Sequence, residues 1–189
     1  MRSICALFTA LLLLQGCSAL MPASEDYGKR TLGTVWDDQM TESRAMKILR
    51  EASPELAHAH FSVVSFNGVV LLTGQVPSED AKKIAAEKVA ALRKVKIVHN
   101  ELQIAGPTSM MARTNDSWLT AKVKTDLLAS NKVEGTRIKV VTENGVVYLM
   151  GLLTHHEAEE AVEVTRKVYG VQKIVTAFEY IDQPRATSN

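Results

Sequence analysis

Asn67-Gly68-Val69-Val70-Leu71-Leu72-Thr73-Gly74 and Asn144-Gly145-Val146-Val147-Tyr148-Leu149-Met150-Gly151 are one eight-residue pattern written twice, 77 positions apart (144 − 67). Asn-Gly between β-branched runs is a strong two-residue hairpin signal, because a type I′ turn needs positive φ at both central positions. The offset extends backwards through Val63/Val140, Val64/Val141 and Ala52-Ser53/Ala129-Ser130, and forwards to Ala81/Ala158. It becomes 76 near the end, where Val95, Val98 and Leu102 match Val171, Ile174 and Phe178. Two copies are too few for a solenoid, so the repeat reads as two small domains side by side.

Each unit reads helix, strand, strand, helix, strand. In the second, Leu119, Val123 and Leu127 recur at i, i+4, i+8 and make one helical face. Ile138, Val140 and Thr142 alternate with Lys139, Val141 and Glu143, a strand with one buried side. Thr154-His155-His156-Glu157 has capping-box spacing before a second helix. Gly170 can stop that helix in a left-handed conformation, and Val171 to Ile181 is a final strand. Unit one repeats this with Ser78 as N-cap and Ala81, Ile84, Ala85, Lys88, Val89 and Leu92 along its second helix, but Lys94 stands where unit two has Gly170. A unit of about 65 residues buries only about 60% of its unfolded surface, so mutual packing of the two is expected.

The N-terminus carries a different kind of signal. Arg2 is followed by an apolar run from Ile4 to Leu14, which as a helix spans roughly 16 Å, about half a bilayer core. That suits the h-region of a signal peptide rather than a membrane span. Leu14-Gln15-Gly16-Cys17 follows, and resembles the lipobox of bacterial lipoproteins, with Gln15 a departure from the usual small or branched residue. The resemblance implies cleavage before Cys17 and lipidation of its thiol and new N-terminus. Several acyl chains exceed the two signals that stable anchoring needs. Ser18, where an Asp would retain such a protein in the inner membrane, implies the outer membrane by the same resemblance. Cleavage would remove Arg2 and no acid, leaving 21 basic residues (22 − 1) against 21 acidic ones. No global field attracts nucleic acid, so any anionic partner must meet a local patch. Cys5 would go with the signal, and the lipid would consume Cys17, leaving no disulfide, thiol nucleophile or Cys metal site.

The expected organisation is therefore a signal peptide at 1–16, a lipidated spacer at 17–37, a first domain at 38–105, a linker at 106–116, a second domain at 117–181 and a polar tail at 182–189. Two units with Asn-Gly-Val-Val and a Gly six residues after the first Gly resemble the BON domain. The second is closer: Asn115 to Lys124, Thr142 to Gly145, Tyr148 to Leu152 and Val175 to Phe178 resemble the dual-BON outer-membrane lipoproteins. The resemblance implies an α+β fold, two helices packed on a three-stranded sheet in each αββαβ unit. It also implies a non-enzymatic lipoprotein on the periplasmic side of the outer membrane, at its inner leaflet. Such a protein supports envelope integrity, binds anionic phospholipid such as phosphatidylglycerol, and concentrates at division sites.

The sharpest binding candidate is the first helix of unit two. Trp118, Ala121, Lys122 and Thr125 fall at i, i+3, i+4 and i+7, beside the core face that begins at Leu119. Trp suits a membrane interface, and Lys122 and Lys124 can reach phosphate oxygens. The phospholipid-binding set is thus Trp118, Leu119, Ala121, Lys122, Lys124 and Thr125. Packing of Trp118 between the two units is the competing reading. His58-Ala59-His60 and His155-His156 lack the three or four convergent ligands of a zinc site and read as solvated. Asp37-Asp38 and Glu159-Glu160, neighbours in sequence, read as solvated charge, and no nucleophile motif or phosphate loop is present. No catalytic residue, metal or cofactor is expected beyond the covalent lipid on Cys17. The other functional class is a protein-interaction adaptor for envelope assembly or cell-wall remodelling machinery, with sheets or hairpins docking the partner.

Overall fold

The computed structural model describes residues 28–182. The lipobox with Cys17, and the tail beyond Asp182, lie outside the described residues. Unit one comprises α1 (Leu32–Ala52), a short α2 (Pro54–His58), β1 (His60–Phe66), β2 (Val69–Val76), α3 (Glu79–Ala90), β3 (Ile97–Asn100) and a two-residue β4 (Gln103–Ile104). Unit two comprises α4 (Met110–Ala129), a 3-10 turn (Gly135–Arg137), β5 (Ile138–Glu143), β6 (Val146–Leu153), α5 (His155–Arg166) and β7 (Lys173–Tyr180).

Both hairpins form as read. Asn67 and Gly68 have φ of 53° and 80°, and Asn144 and Gly145 have 50° and 75°. β1 pairs antiparallel with β2, and β3 and β4 add parallel to the other edge of β2. β5, β6 and β7 repeat this arrangement. Thr154 and Glu157 make the full capping box, and Ser78 accepts from the Ala81 amide. Gly170 does take a left-handed φ of 99°, but α5 has already ended at Arg166, so this glycine shapes the turn into β7 rather than stopping the helix.

Three hydrophobic clusters organise the layers. In the first, Ala45, Leu49 and Leu56 meet Ala81, Ala85 and Val89 over Val63, Val70 and Leu72. The second repeats it with Leu119, Val123, Leu127, Ala158 and Ala161 over Val140, Val147 and Leu149. The third belongs to neither unit alone: Phe66, Val69 and Leu71 pack on Tyr148, Met150, Leu152 and Ala177. Alternate residues of a strand face opposite sides. Val70 and Leu72 therefore go to the helices while Val69 and Leu71 go to the other sheet. This explains why β2 is buried along its whole length. β5 keeps the single buried side its alternation suggests, with Ile138 and Val140 buried, while Val141 on its other side packs only partly against the second sheet. Each side chain so buried contributes roughly 1.5–3 kcal/mol. The result is four layers, helix, sheet, sheet, helix, with the two helical layers outermost and facing opposite ways.

Two boundaries move. α4 begins at Met110, capped by Ser109, whose hydroxyl accepts from the Ala112 amide at 3.2 Å. Seven residues of the expected 106–116 linker are thus helix. α1 begins at Leu32 with Thr31 as its cap, so the expected 17–37 spacer gives up its last six residues.

Candidate membrane-facing helix

What aims α4 is a buried carboxylate. Asp116 accepts from the Asn144 and Gly145 amides at 2.7 and 2.8 Å, tying the first half of the helix to the hairpin turn. Asp38 does the same in unit one, accepting from Asn67 and Gly68 at 2.8 and 3.0 Å. Asp38 also takes the Ser65 hydroxyl and the Arg30 guanidinium, each at 2.8 Å. Burial alone would raise its pKa, but hydrogen bonds from Gly68, Arg30, Asn67 and Ser65 together hold it below its ordinary 3.8. Asp38 is therefore a structural clamp and not the solvated charge that its place in an acidic pair suggests. The equivalence of the two helices runs at an offset of 78 (116 − 38), which also aligns Thr41, Ala45 and Leu49 with Leu119, Val123 and Leu127, all buried. The hairpins run at 77, and that slip hid the paired aspartates.

With Asp116 inward, the rest of α4 is oriented at about 100° per residue. Leu119 is fully buried with Val123 and Leu127, so it belongs to the core and leaves the lipid set. Trp118, next in sequence, is 52% exposed. Ala121, Lys122, Lys124 and Thr125 are also exposed. Trp118 does not pack between the units, because the interface is sheet on sheet. The earlier start of α4 adds Met110 and Met111 to the exposed stripe, and Leu128 extends it at the far end. Lys122 and Lys124 flank this stripe on either side. Lys122 pairs with Asp126 at 3.0 Å, while Lys124 makes no ion pair among the described residues. The stripe thus carries a net positive charge beside its apolar ridge. Ser109 was the available signal for the longer helix.

The root of the N-terminal segment sits at the C-terminal end of α4. Lys29 pairs with Glu134 at 3.5 Å, and Gly28 lies so close to Arg137 and the Leu152 carbonyl that a side chain there would collide. Gly135, beside Glu134, packs against the Leu127 backbone. Arg137 is itself buried, donating to the Leu152 carbonyl and pairing with Glu134 and Glu157.

The histidines do not converge. Among the described residues no three His, Cys, Asp or Glu side chains gather as metal ligands, and His155 stacks on Tyr180 with ring centroids 4.1 Å apart. No described helix is long and apolar enough to cross a membrane. An apolar cleft of about 450 Å³ lies in unit one between Pro54, Ala59, Pro77 and Pro107.

Two mixed sheets, each carrying helices on one face and built on an Asn-Gly hairpin, define the class: the chain belongs to the BON domain family, whose model matches residues 37–106 and 115–182. It is similar to outer membrane lipoprotein DolP of Haemophilus influenzae, 34% identical over 188 residues covering 96% of this chain and 97% of that protein. It is also similar to a 21 kDa hemolysin of Actinobacillus pleuropneumoniae, 36% identical over 80% of this chain and 78% of that protein. The osmotically-inducible protein Y of Escherichia coli is more distant, at 25% identity over 79% of this chain and 75% of its own length.

Proposed function

We infer that this protein is an outer-membrane lipoprotein, acylated on Cys17 and facing the periplasm, whose second BON domain binds anionic phospholipid through the outward stripe of α4. Its role is non-enzymatic: it supports outer-membrane integrity, at division sites if it follows the lipoproteins it resembles. The observation that carries the lipid reading is the half-exposed Trp118 in an apolar ridge flanked by lysines, on a helix whose core face is already filled by Leu119, Val123 and Leu127. A Trp body is apolar with a wet N–H, which suits a headgroup boundary, and each nearby Lys contributes about 1 kcal/mol at an anionic surface. The placement of Gly28 and Lys29 beside the end of α4 supports the same reading, since a tether leaving there lets the stripe lie against the bilayer that holds the anchor.

Sedimentation of the unlipidated protein with phosphatidylglycerol vesicles tests it. Trp118→Glu is expected to abolish binding with the melting temperature nearly unchanged, and binding by the parent protein should weaken with salt. Retained binding by the Glu variant would overturn the assignment.

A further inference from the structure

α4 is not the only helix with an unpartnered apolar ridge. On α1, Leu32 is 90% exposed and Trp36 70%, with Val35 and Met40 exposed beside them. Leu32, Trp36 and Met40 fall at i, i+4, i+8, on the side away from the buried Asp38, Thr41, Ala45 and Leu49. This ridge faces outward from the opposite helical layer, so a flat bilayer meets either α4 or α1 and not both.

The two ridges differ in charge. Three cations at the start of α1 are matched: Lys94 pairs with Asp37 at 3.0 Å, Arg30 with Asp38 and Lys29 with Glu134. Along α1 itself, the first exposed cation without an ion pair among the described residues, Arg44, lies two turns on from Trp36. The α1 ridge is therefore neutral where the α4 ridge is cationic. Its occupant is constrained by chain length. Ten residues, 18–27, separate Cys17 from Gly28. Fully extended they reach no more than about 36 Å. Leu32 follows four residues after Gly28. With Cys17 acylated, the tether keeps the start of α1 within that reach of the bilayer.

We propose that the Leu32–Met40 ridge is a second bilayer-facing surface, one that takes a zwitterionic interface and is exchanged for α4 when anionic lipid is present. The proposal rests on the anchored, α4-bound reading above. Neutral apolar insertion gains nothing from anionic headgroups, whereas the α4 ridge gains from each lysine. Lipid composition then selects which domain lies on the membrane and which faces the periplasm.

The chain has two tryptophans, one on each ridge, so each ridge carries its own reporter. Full-length lipidated protein would be reconstituted into phosphatidylcholine vesicles with and without phosphatidylglycerol, as W118F, which leaves Trp36, and as W36F, which leaves Trp118. Circular dichroism establishes that both are folded. In phosphatidylcholine alone, Trp36 emission is expected to shift to the blue and to be quenched by brominated acyl chains. Adding phosphatidylglycerol should reverse both changes. Trp36 that stays red-emitting and unquenched in both lipids overturns the proposal. So does a blue shift that appears in detergent and grows with protein concentration, which would mean a second copy covers the ridge. Failure of the α4 reading is seen separately, as Trp118 that is not quenched in phosphatidylglycerol vesicles.

Discussion

The two domains solve one problem with unequal means. In both, a buried Asp on the first helix holds the two amides of an Asn-Gly turn. In the second domain those two amides are its hydrogen-bond donors. In the first, Arg30 and Ser65 are added, and Arg30 also lies over the Phe66 ring at 3.9 Å. Arg30 comes from the N-terminal arm, and Phe66 belongs to the sheet-to-sheet interface. The first domain's clamp thus ties the tether root to the domain seam, while the second domain's clamp only aims a helix. Repeated units keep what the fold requires and diverge where the surroundings differ.

The largest expected effect breaks the clamps. Asp38→Ala should cost about 3–5 kcal/mol, because it leaves the partly buried Arg30 unpaired as well as two amides and the buried Ser65 hydroxyl. Asp116→Ala should cost about 1.5–3 kcal/mol, the worth of hydrogen bonds to a charged acceptor. Urea unfolding of both variants measures the difference, and equal costs would remove Arg30's role. Since the folded pKa of Asp38 lies below its ordinary 3.8, its contribution is present above that value and is lost as pH falls through the folded pKa. Acid melts of the parent protein should steepen there, and those of the Ala variant should not.

The next comparison sets Leu119 against Trp118. Leu119→Ala should cost about 2–5 kcal/mol. Trp118→Ala should cost about 1 kcal/mol or less, yet abolish vesicle binding. Thermal melts and vesicle sedimentation on the same samples separate them, and a Trp118 variant as unstable as the Leu119 variant would sink the surface reading.

Gly74 and Gly151 occupy matching places in the two motifs but not matching geometry. Gly74 has φ of 115°, and a Cβ there would sit 2.3 Å from the His60 carbonyl oxygen. Gly151 needs no positive φ, and its Cβ would lie 3.0 Å from the Arg137 carbonyl. Gly74→Ala is expected to cost about 1–3 kcal/mol and Gly151→Ala less, as read by denaturant midpoints.

The domain seam gives the smaller effects. Tyr148 is pushed up to about 12 by burial and by Glu101 and Glu143, from an ordinary 10.0. The stability of its neutral form is present below pH 10 and is lost as pH rises towards 12. Tyr148→Phe should flatten the alkaline limb of the melting curve. The exposed Lys96–Glu179 pair across the seam, at 3.3 Å, should be worth under about 1 kcal/mol on Lys96→Ala.

Sequence alone determined the repeat, both type I′ turns, the Thr154–Glu157 capping box, the Ser78 cap and the Leu119, Val123, Leu127 face. Each depends on residues within a turn or two of one another, where backbone sterics and side-chain spacing suffice. It also placed Trp118 away from the core, because a helix carries its own 100° rotation, yet the same reading put Leu119 in the lipid set although it named Leu119 as core. Only the tertiary structure decided the rest. Asp38 looks like half of an exposed acidic pair until a turn 29 residues away supplies its donors. Met110 and Met111 read as linker from the sequence, but the helix that carries them begins at Met110 behind a Ser109 cap. Val69, Leu71, Tyr148 and Met150 have the same β-branched or apolar character as their neighbours, and nothing local says that they face another sheet rather than helices. That choice belongs to the packing of two marginal units, each of which lacks enough buried surface alone and finds it on the other.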